Sequence, residues 1–226
     1  MLNAMHEYKS KCTSSCPNPY DYSSRMEDAE NIFIVTISKK LSGSYNSAIL
    51  AKEEMNNKNV LVIDSKATSG TMVRIIDELV NLINKGLSFE EISEQILRFR
   101  DNRILYFVLD KFDNLVHNGR VKKSVAFLAN LLKIKLICHA EEGEIDVLQK
   151  VRTRKHVIDR LIQLLSKTKE DFSNEECVIS HCEDEETASF IKKSLEKLCN
   201  FKKITILKMK GLCSFYALEK GVLVSI

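Results

Sequence analysis

The segment Leu41-Ser42-Gly43-Ser44 sets three small residues between an apolar, β-branched run and a helix-patterned stretch. A helix start leaves several backbone N–H groups without intrahelical partners and carries a partial positive charge, so the position favours an anion. Gly43 lets a ligand approach the backbone, and Ser42 adds a hydroxyl donor. The plainer reading of the same residues is a serine N-cap and a tight turn with no ligand. Thr68-Ser69-Gly70, before the next helix pattern, has the same chemistry and the same two readings. Neither turn has the glycine spacing of a phosphate-binding loop or a dinucleotide fingerprint.

Other reactive residue types are scattered. Asp64 closes a strand pattern, a place where open α/β sheets put catalytic acids, but it can equally organise the turn Ser65 to Thr68, and the turn is the preferred reading. There is no Gly-x-Ser-x-Gly elbow, no His-Glu-x-x-His, and no convergence of acid, base and nucleophile, so no catalytic residue is assigned. His117, His139, His156 and His181 stand apart from one another. The seven cysteines are odd in number and irregular in spacing. Cys138, Cys177 and Cys213 fall in or beside apolar runs, which suits reduced structural thiols. His181-Cys182 beside Cys177 is a thin metal pattern without a second ligand cluster, and no metal is expected. Basic residues gather at Arg120-Val-Lys-Lys123 and Lys150-Val-Arg-Thr-Arg-Lys155, as a solvated face or as a docking patch for an acidic or phosphate-bearing partner.

The elements that must position these residues follow from periodicity. Residues 1 to 30 carry both prolines and read as loop. Ile32 to Ile37 is a buried strand, and Tyr45, Ala48, Ile49 and Met55 form one face of a helix. A second strand, Val60 to Ile63, leads to a helix whose apolar stripe is Met72, Ile75, Ile76, Leu79, Val80 and Ile83. Gly86 ends that helix, Ser88 with Glu91 caps the next, and Ile104 to Leu109 is a third strand. This alternation predicts a parallel sheet with right-handed crossovers. Past Phe112, short helices surround Asn118-Gly119-Arg120, and Val125 to Leu132 is strongly apolar. Ile134 to His139 and Ile145 to Val151 flank a hairpin turn at Glu141–Glu144, and Val157, Ile158, Leu161, Ile162 and Leu165 stripe a helix. A strand at Cys177 to Ser180, a helix from Glu185 to Leu198, and strands at Ile204 to Leu207 and Val222 to Ile226 follow. The class is therefore α/β: an incomplete, Rossmann-like parallel-sheet lobe over residues 1–111, and an α+β lobe with a mixed or antiparallel sheet over residues 112–226.

Composition narrows the function classes. Across 226 residues, 44% hydrophobic and 29% charged is an ordinary globular balance. A net charge of +3 from 34 basic and 31 acidic residues forms no concentrated stripe, which argues against nucleic acid. No apolar run reaches the roughly 18 residues of a membrane span, and Met1 to Cys16 lacks the apolar core of a signal peptide, so a cytoplasmic protein is expected.

Taken in order, these segments resemble the DegV family over nearly the whole chain. The resemblance is carried by Ile37-Ser-Lys-Lys-Leu-Ser-Gly-Ser-Tyr-Asn-Ser-Ala48, Val60-Leu-Val-Ile-Asp-Ser65, Asn118-Gly-Arg-Val121 and Lys150-Val-Arg-Thr-Arg-Lys155. Ser14-Ser-Cys-Pro-Asn-Pro-Tyr-Asp-Tyr22 is similar to the family's Thr-Ser-Cys-Pro-Ser-Pro stretch, with serine for its leading threonine. The resemblance implies a non-catalytic protein that binds a long-chain fatty acid between two lobes. It also implies that the carboxylate is presented to a fatty acid kinase subunit, which makes the acyl phosphate for lipid metabolism. No cofactor is implied beyond the bound acyl chain. By resemblance, Ser14 or Ser15 and Ser42 with Gly43 hold the carboxylate, and Arg120 and Arg152 serve kinase docking. Burial of the tail is worth about 0.8 kcal/mol per methylene, so tail length dominates affinity while the carboxylate sets orientation.

The chain departs from the family pattern in three places. Met1 lies just upstream of the Thr-Ser-like motif, where family members usually carry a strand ending in Asp-Ser and further elements, so a shortened first lobe is expected. Many members have a histidine and a Gly-Pro-Gly turn where this chain reads Lys210-Gly-Leu-Cys-Ser-Phe-Tyr-Ala217. Tyr216 or Ser214 is the candidate replacement hydroxyl there, with a packed tyrosine as the alternative. Leu136 replaces a common proline, a change read as neutral. The alternative function is an interaction or regulatory protein that has lost lipid binding and forms a homodimer through an exposed sheet edge.

Overall fold

A computed structural model describes residues 12–26, 29–55, 59–129 and 134–226. Of the loop expected over residues 1–30, residues 1–11 and 27–28 lie outside the described residues, as do residues 130–132 of the apolar run from Val125. The fold is α/β, with a two-stranded parallel sheet and a six-stranded mixed sheet. Compactness divides the chain into a first unit, Ser14–Arg103 with Glu142–Glu144, and a second that holds Ile104–Glu141 and Ile145–Ile226.

In the first unit, β1 (Asn31–Thr36) and β2 (Asn59–Asp64) pair in parallel, Asn31 against Asn59 through Thr36 against Asp64. Side chains alternate along a strand, so each face collects its own set. Ile32, Ile34, Val60 and Val62 pack with Ala48 and Ala51 of α2 (Ser44–Glu53), while Phe33, Val35, Leu61 and Ile63 pack on the opposite face. That opposite face is covered by α3 (Gly70–Asn84) and α4 (Phe89–Asp101) through Ile75, Leu79, Leu82, Ile92 and Ile96. The apolar stripe of α3 is wider than its core contact. Ile75 and Leu79 are buried with Leu82, but Ile76, Val80 and Ile83 are 45%, 51% and 49% exposed. The six-residue stripe spans more of the helix circumference than one sheet face covers. Ser88 and Glu91 form the expected reciprocal cap of α4.

One short helix replaces part of the expected N-terminal loop. α1 (Pro19–Ser23) opens with Asn18 Oδ1 accepting from Asp21 N at 3.0 Å and Asp21 Oδ2 accepting from Asn18 N at 2.8 Å. Pro19 supplies the fixed φ of a first helical residue. A single turn is too short to show apolar periodicity, which is why the sequence pattern concealed it.

In the second unit the sheet order is β5-β4-β3-β8-β6-β7. These are β3 (Leu105–Leu109), β4 (Lys135–Glu141), β5 (Glu144–Val151), β6 (Glu176–His181), β7 (Lys203–Lys208) and β8 (Val222–Ser225). β3 runs antiparallel to both β4 and β8, β6 is antiparallel to β8, and β6 and β7 are parallel. The third strand of the sequence reading thus belongs to the mixed sheet and does not extend the parallel one. A central strand buried on both faces shows the same continuous apolar run in either sheet, so its partner could not be read from its composition. Two helices, α5 (Asp113–His117) and α6 (Lys123–Ala129), flank Asn118-Gly119-Arg120 as expected. Helices α7 (Arg154–Leu165) and α8 (Glu185–Leu198) cover one sheet face, setting Val157, Leu161, Ile191 and Leu195 against Val108, Ile137, Ile179 and Val224. A further helix, α9 (Gly211–Ala217), forms where no element was expected.

Candidate functional site

The chain leaves β1 through Ile37 and winds back on itself at Ser38. Ser38 N donates to Ala67 O at 2.9 Å, and the Ser38 carbonyl accepts from Leu41 N at 3.0 Å and Ser42 N at 3.1 Å. Asp64, only 6% exposed at the end of β2, accepts Lys39 N at 3.1 Å and Lys66 N at 3.0 Å on one carboxylate oxygen. The carboxylate is therefore a turn organiser serving both strand ends. Two backbone donors on that oxygen, with the Lys39 ammonium 4.0 Å from the other, compensate the burial of the carboxylate.

The Ser42 turn opens directly onto α2. Gly43 occupies the N-cap and has no side chain to close the helix end. Ser42 Oγ accepts from Ser44 N at 3.2 Å and lies 2.9 Å from Ser44 Oγ. The serine that the plainer reading made an N-cap sits one residue earlier and braces the turn locally. A hydroxyl has one donor and two acceptor positions, so Ser42 can accept from Ser44 N and still donate outward. Lys39 and Lys40 precede the turn, with their ammonium groups 4.0 Å from Asp64 and 3.6 Å from Glu144. Chemically, a hydroxyl and a glycine-terminated helix start suit a carboxylate or another small oxyanion.

The structure brings the serine loop to this turn. A Cβ on Gly43 would lie 3.0 Å from Cys16 Sγ, and Cys16 Sγ is 3.9 Å from Ser47 Oγ. Glycine leaves room for Cys16, in the loop that also carries Ser14 and Ser15, to approach the backbone at Gly43. Ser14 is half-buried and Ser15 exposed. Cys16 is the contact that sequence reasoning missed, although it stands in the Ser14-Ser-Cys-Pro stretch that carries part of the resemblance.

The remaining candidates lie in the second unit. Tyr216, on α9, is half-buried with its ring edge-on to Phe215 at 4.8 Å, and Ser214 beside it is buried. Arg120 is half-buried, its N–H donating to Leu115 O at 2.8 Å, and Arg152 is exposed between β5 and α7. Within the same basic segment Arg154 is engaged structurally. Its guanidinium donates to Asp110 at 3.0 Å, to Asp184 at 2.7 Å and to the Lys220 carbonyl at 2.7 Å.

Several other reactive side chains sit in structural surroundings. His181 Nδ1 accepts from Asp184 N at 3.2 Å, and His139 Nδ1 stands 3.4 Å from Glu141. Burial, with a smaller contribution from Asp146, pushes the Cys138 thiol up to about 12, so it stays neutral. Cys177 sits in the core under α7 and α8. Among the described residues no group of three or more His, Cys, Asp or Glu is placed to hold a metal ion, and no helix is long and apolar enough to cross a membrane.

Comparison with known proteins adds the family. The model described as "Uncharacterised protein, DegV family" matches residues 1–225. A DegV domain-containing protein of Streptococcus pyogenes serotype M3 is 38% identical over 228 residues, spanning 99% of this chain and 81% of its own. The Fatty Acid Kinase (Fak) B3 protein of Streptococcus pneumoniae, solved loaded with linoleic acid, superposes with TM-score 0.91 at 37% identity, covering 100% of this chain and 81% of its own. A DegV family protein from Eubacterium eligens, solved loaded with heptadecanoic acid, gives TM-score 0.90 at 33% identity, covering 100% and 83%.

Proposed function

We propose, from the premise that this chain belongs to the DegV family, that it binds a long-chain fatty acid and presents the carboxylate to a fatty acid kinase subunit. The observation that carries this reading is the Ser42 turn. A hydroxyl and an uncapped helix start lie against the Ser14–Cys16 loop, in a chain similar over its whole length to two proteins solved with acyl chains bound. In this reading Ser42 and the backbone at Gly43 receive the carboxylate, with Ser14 or Ser15 contributing from the adjoining loop. The protein supplies no catalytic group and needs no cofactor; phosphoryl transfer belongs to the kinase subunit, in the cytoplasm. Native mass spectrometry and lipid extraction of the purified protein test this directly. A co-purifying acyl chain, or saturable binding of added oleate, is the expected result. Protein that carries no lipid and takes up no oleate would falsify it.

Arg120 and Arg152 are proposed as the docking arginines. Both lie in the second unit, and neither is part of the Ser42 turn. Arg120→Ala and Arg152→Ala should leave oleate affinity within about twofold while lowering acyl phosphate formation by an added kinase subunit, since removing a rim charge acts chiefly on encounter. Equal losses of lipid binding and phosphorylation would assign these residues to the lipid site.

A further inference from the structure

We propose that Ser38 and Gly143 are positioning residues that hold the Ser42 turn in its anion-binding shape, an inference that rests on the carboxylate reading above. Ser38 is fully buried, and its polar groups are directed at the turn and its supports. The hydroxyl donates to the Gly143 carbonyl at 2.6 Å and accepts from Lys40 N at 3.1 Å. Its carbonyl receives Leu41 N and Ser42 N, and its N–H reaches Ala67 O. The turn from Ser38 to Ser42 is wound about this one residue.

Gly143 sits in the two-residue turn that joins β4 to β5. Glu142 has φ +46° and Gly143 φ +86°, the positive pair of a tight hairpin turn. A Cβ at position 143 would fall 2.5 Å from Ser38 Oγ and 3.4 Å from Lys66 Cα. Only glycine lets the carbonyl reach the Ser38 hydroxyl. Ion pairs flank the contact, Lys66 Nζ to Glu142 at 2.7 Å and Lys40 Nζ to Glu144 at 3.6 Å. Residues 142–144 accordingly group with the first unit. The hairpin tip braces the base of the turn, and the direction of the Ser42 hydroxyl is set four residues further on. Donors fixed before the ligand arrives bind an anion better than donors that must be ordered by it.

The test separates head-group recognition from tail burial by comparing oleate with oleyl alcohol, which has the same tail and a neutral head. Ser38→Ala and Gly143→Ala should each weaken oleate binding by roughly tenfold, the effect of a misplaced charge-assisted donor, while oleyl alcohol changes by less than about twofold. Gly86→Ala is the control: its φ of +71° imposes similar backbone strain with no atom within 4 Å of the new Cβ, and it should change neither affinity. An acid-to-alcohol preference unchanged in both variants overturns the proposal, as does an equal loss for both ligands. Should Gly143→Ala fail to fold, Ser38→Ala decides alone. Wild-type protein that binds acid and alcohol equally overturns the carboxylate reading itself, and the positioning role falls with it.

Discussion

Ser42→Ala should weaken oleate binding by about tenfold to a hundredfold, the span set by about 1.5–3 kcal/mol for a hydrogen bond to a charged group. Two losses combine. The carboxylate loses a hydroxyl donor, and Ser44 N loses the acceptor at 3.2 Å that braces the turn. Ser44 Oγ, 2.9 Å from Ser42 Oγ, is close enough to compensate in part, so the double variant Ser42→Ala/Ser44→Ala should bind more weakly than either single one. Gly43→Ala should act in the same direction by a different cause. Its Cβ would stand 3.0 Å from Cys16 Sγ, so Cys16 must give by a few tenths of an ångström and the serine loop is disturbed at that contact. Calorimetric titration with oleate reads all three. Wild-type affinity in Ser42→Ala would move the carboxylate to another part of the molecule.

The second large effect is on stability. Arg154→Ala should lower the unfolding free energy by about 2–4 kcal/mol, because removing one partner of a partly buried charge network strands the others. Asp110 and Asp184 are 21% and 15% exposed at their side chains, and each loses a guanidinium contact. The Lys220 carbonyl loses its donor, and Asp184, whose side chain caps α8, loses the group that fixes its orientation. Lys135, 3.1 Å from Asp110, remains and limits the damage on that side. Arg154→Lys should recover only part of the loss, since one ammonium cannot span both carboxylates as a planar fork does. Urea unfolding measures this, and a change within about 0.5 kcal/mol would show the network to be as weak as an exposed ion pair.

The contrast between Arg152 and Arg154 shows what the sequence could and could not convey. Both belong to one basic run, and charge alone gives both the same choice of solvated face or docking patch. Only tertiary placement reveals that Arg154 is tied to Asp110, 44 residues away, while Arg152 is exposed. Long elements were legible because their signals are local and repeated. The Ser88–Glu91 cap, the α7 stripe and the β4–β5 hairpin all carry their evidence within a few residues. β3 was legible as a strand but not as a member of the mixed sheet, because pairing is a property of the partner. α1 and α9 escaped because one or two turns are too short for a period to emerge. At the site, the Ser42 turn was visible as a composition, and so was its place at a helix start. Cys16 against Gly43, Asp64 binding Lys39 N, and Ser38 with Gly143 are all contacts across sequence distance, and no local pattern announces them.

The reach of the Ser38–Gly143 hydrogen bond also sets a schedule. Its partners are 105 residues apart, whereas the strands β1 and β2 pair across only 28 positions. A ribosome-bound chain can form the early helices and the small sheet well before Gly143 has been added. The brace on the Ser42 turn is therefore completed late in biosynthesis, only after the hairpin has emerged.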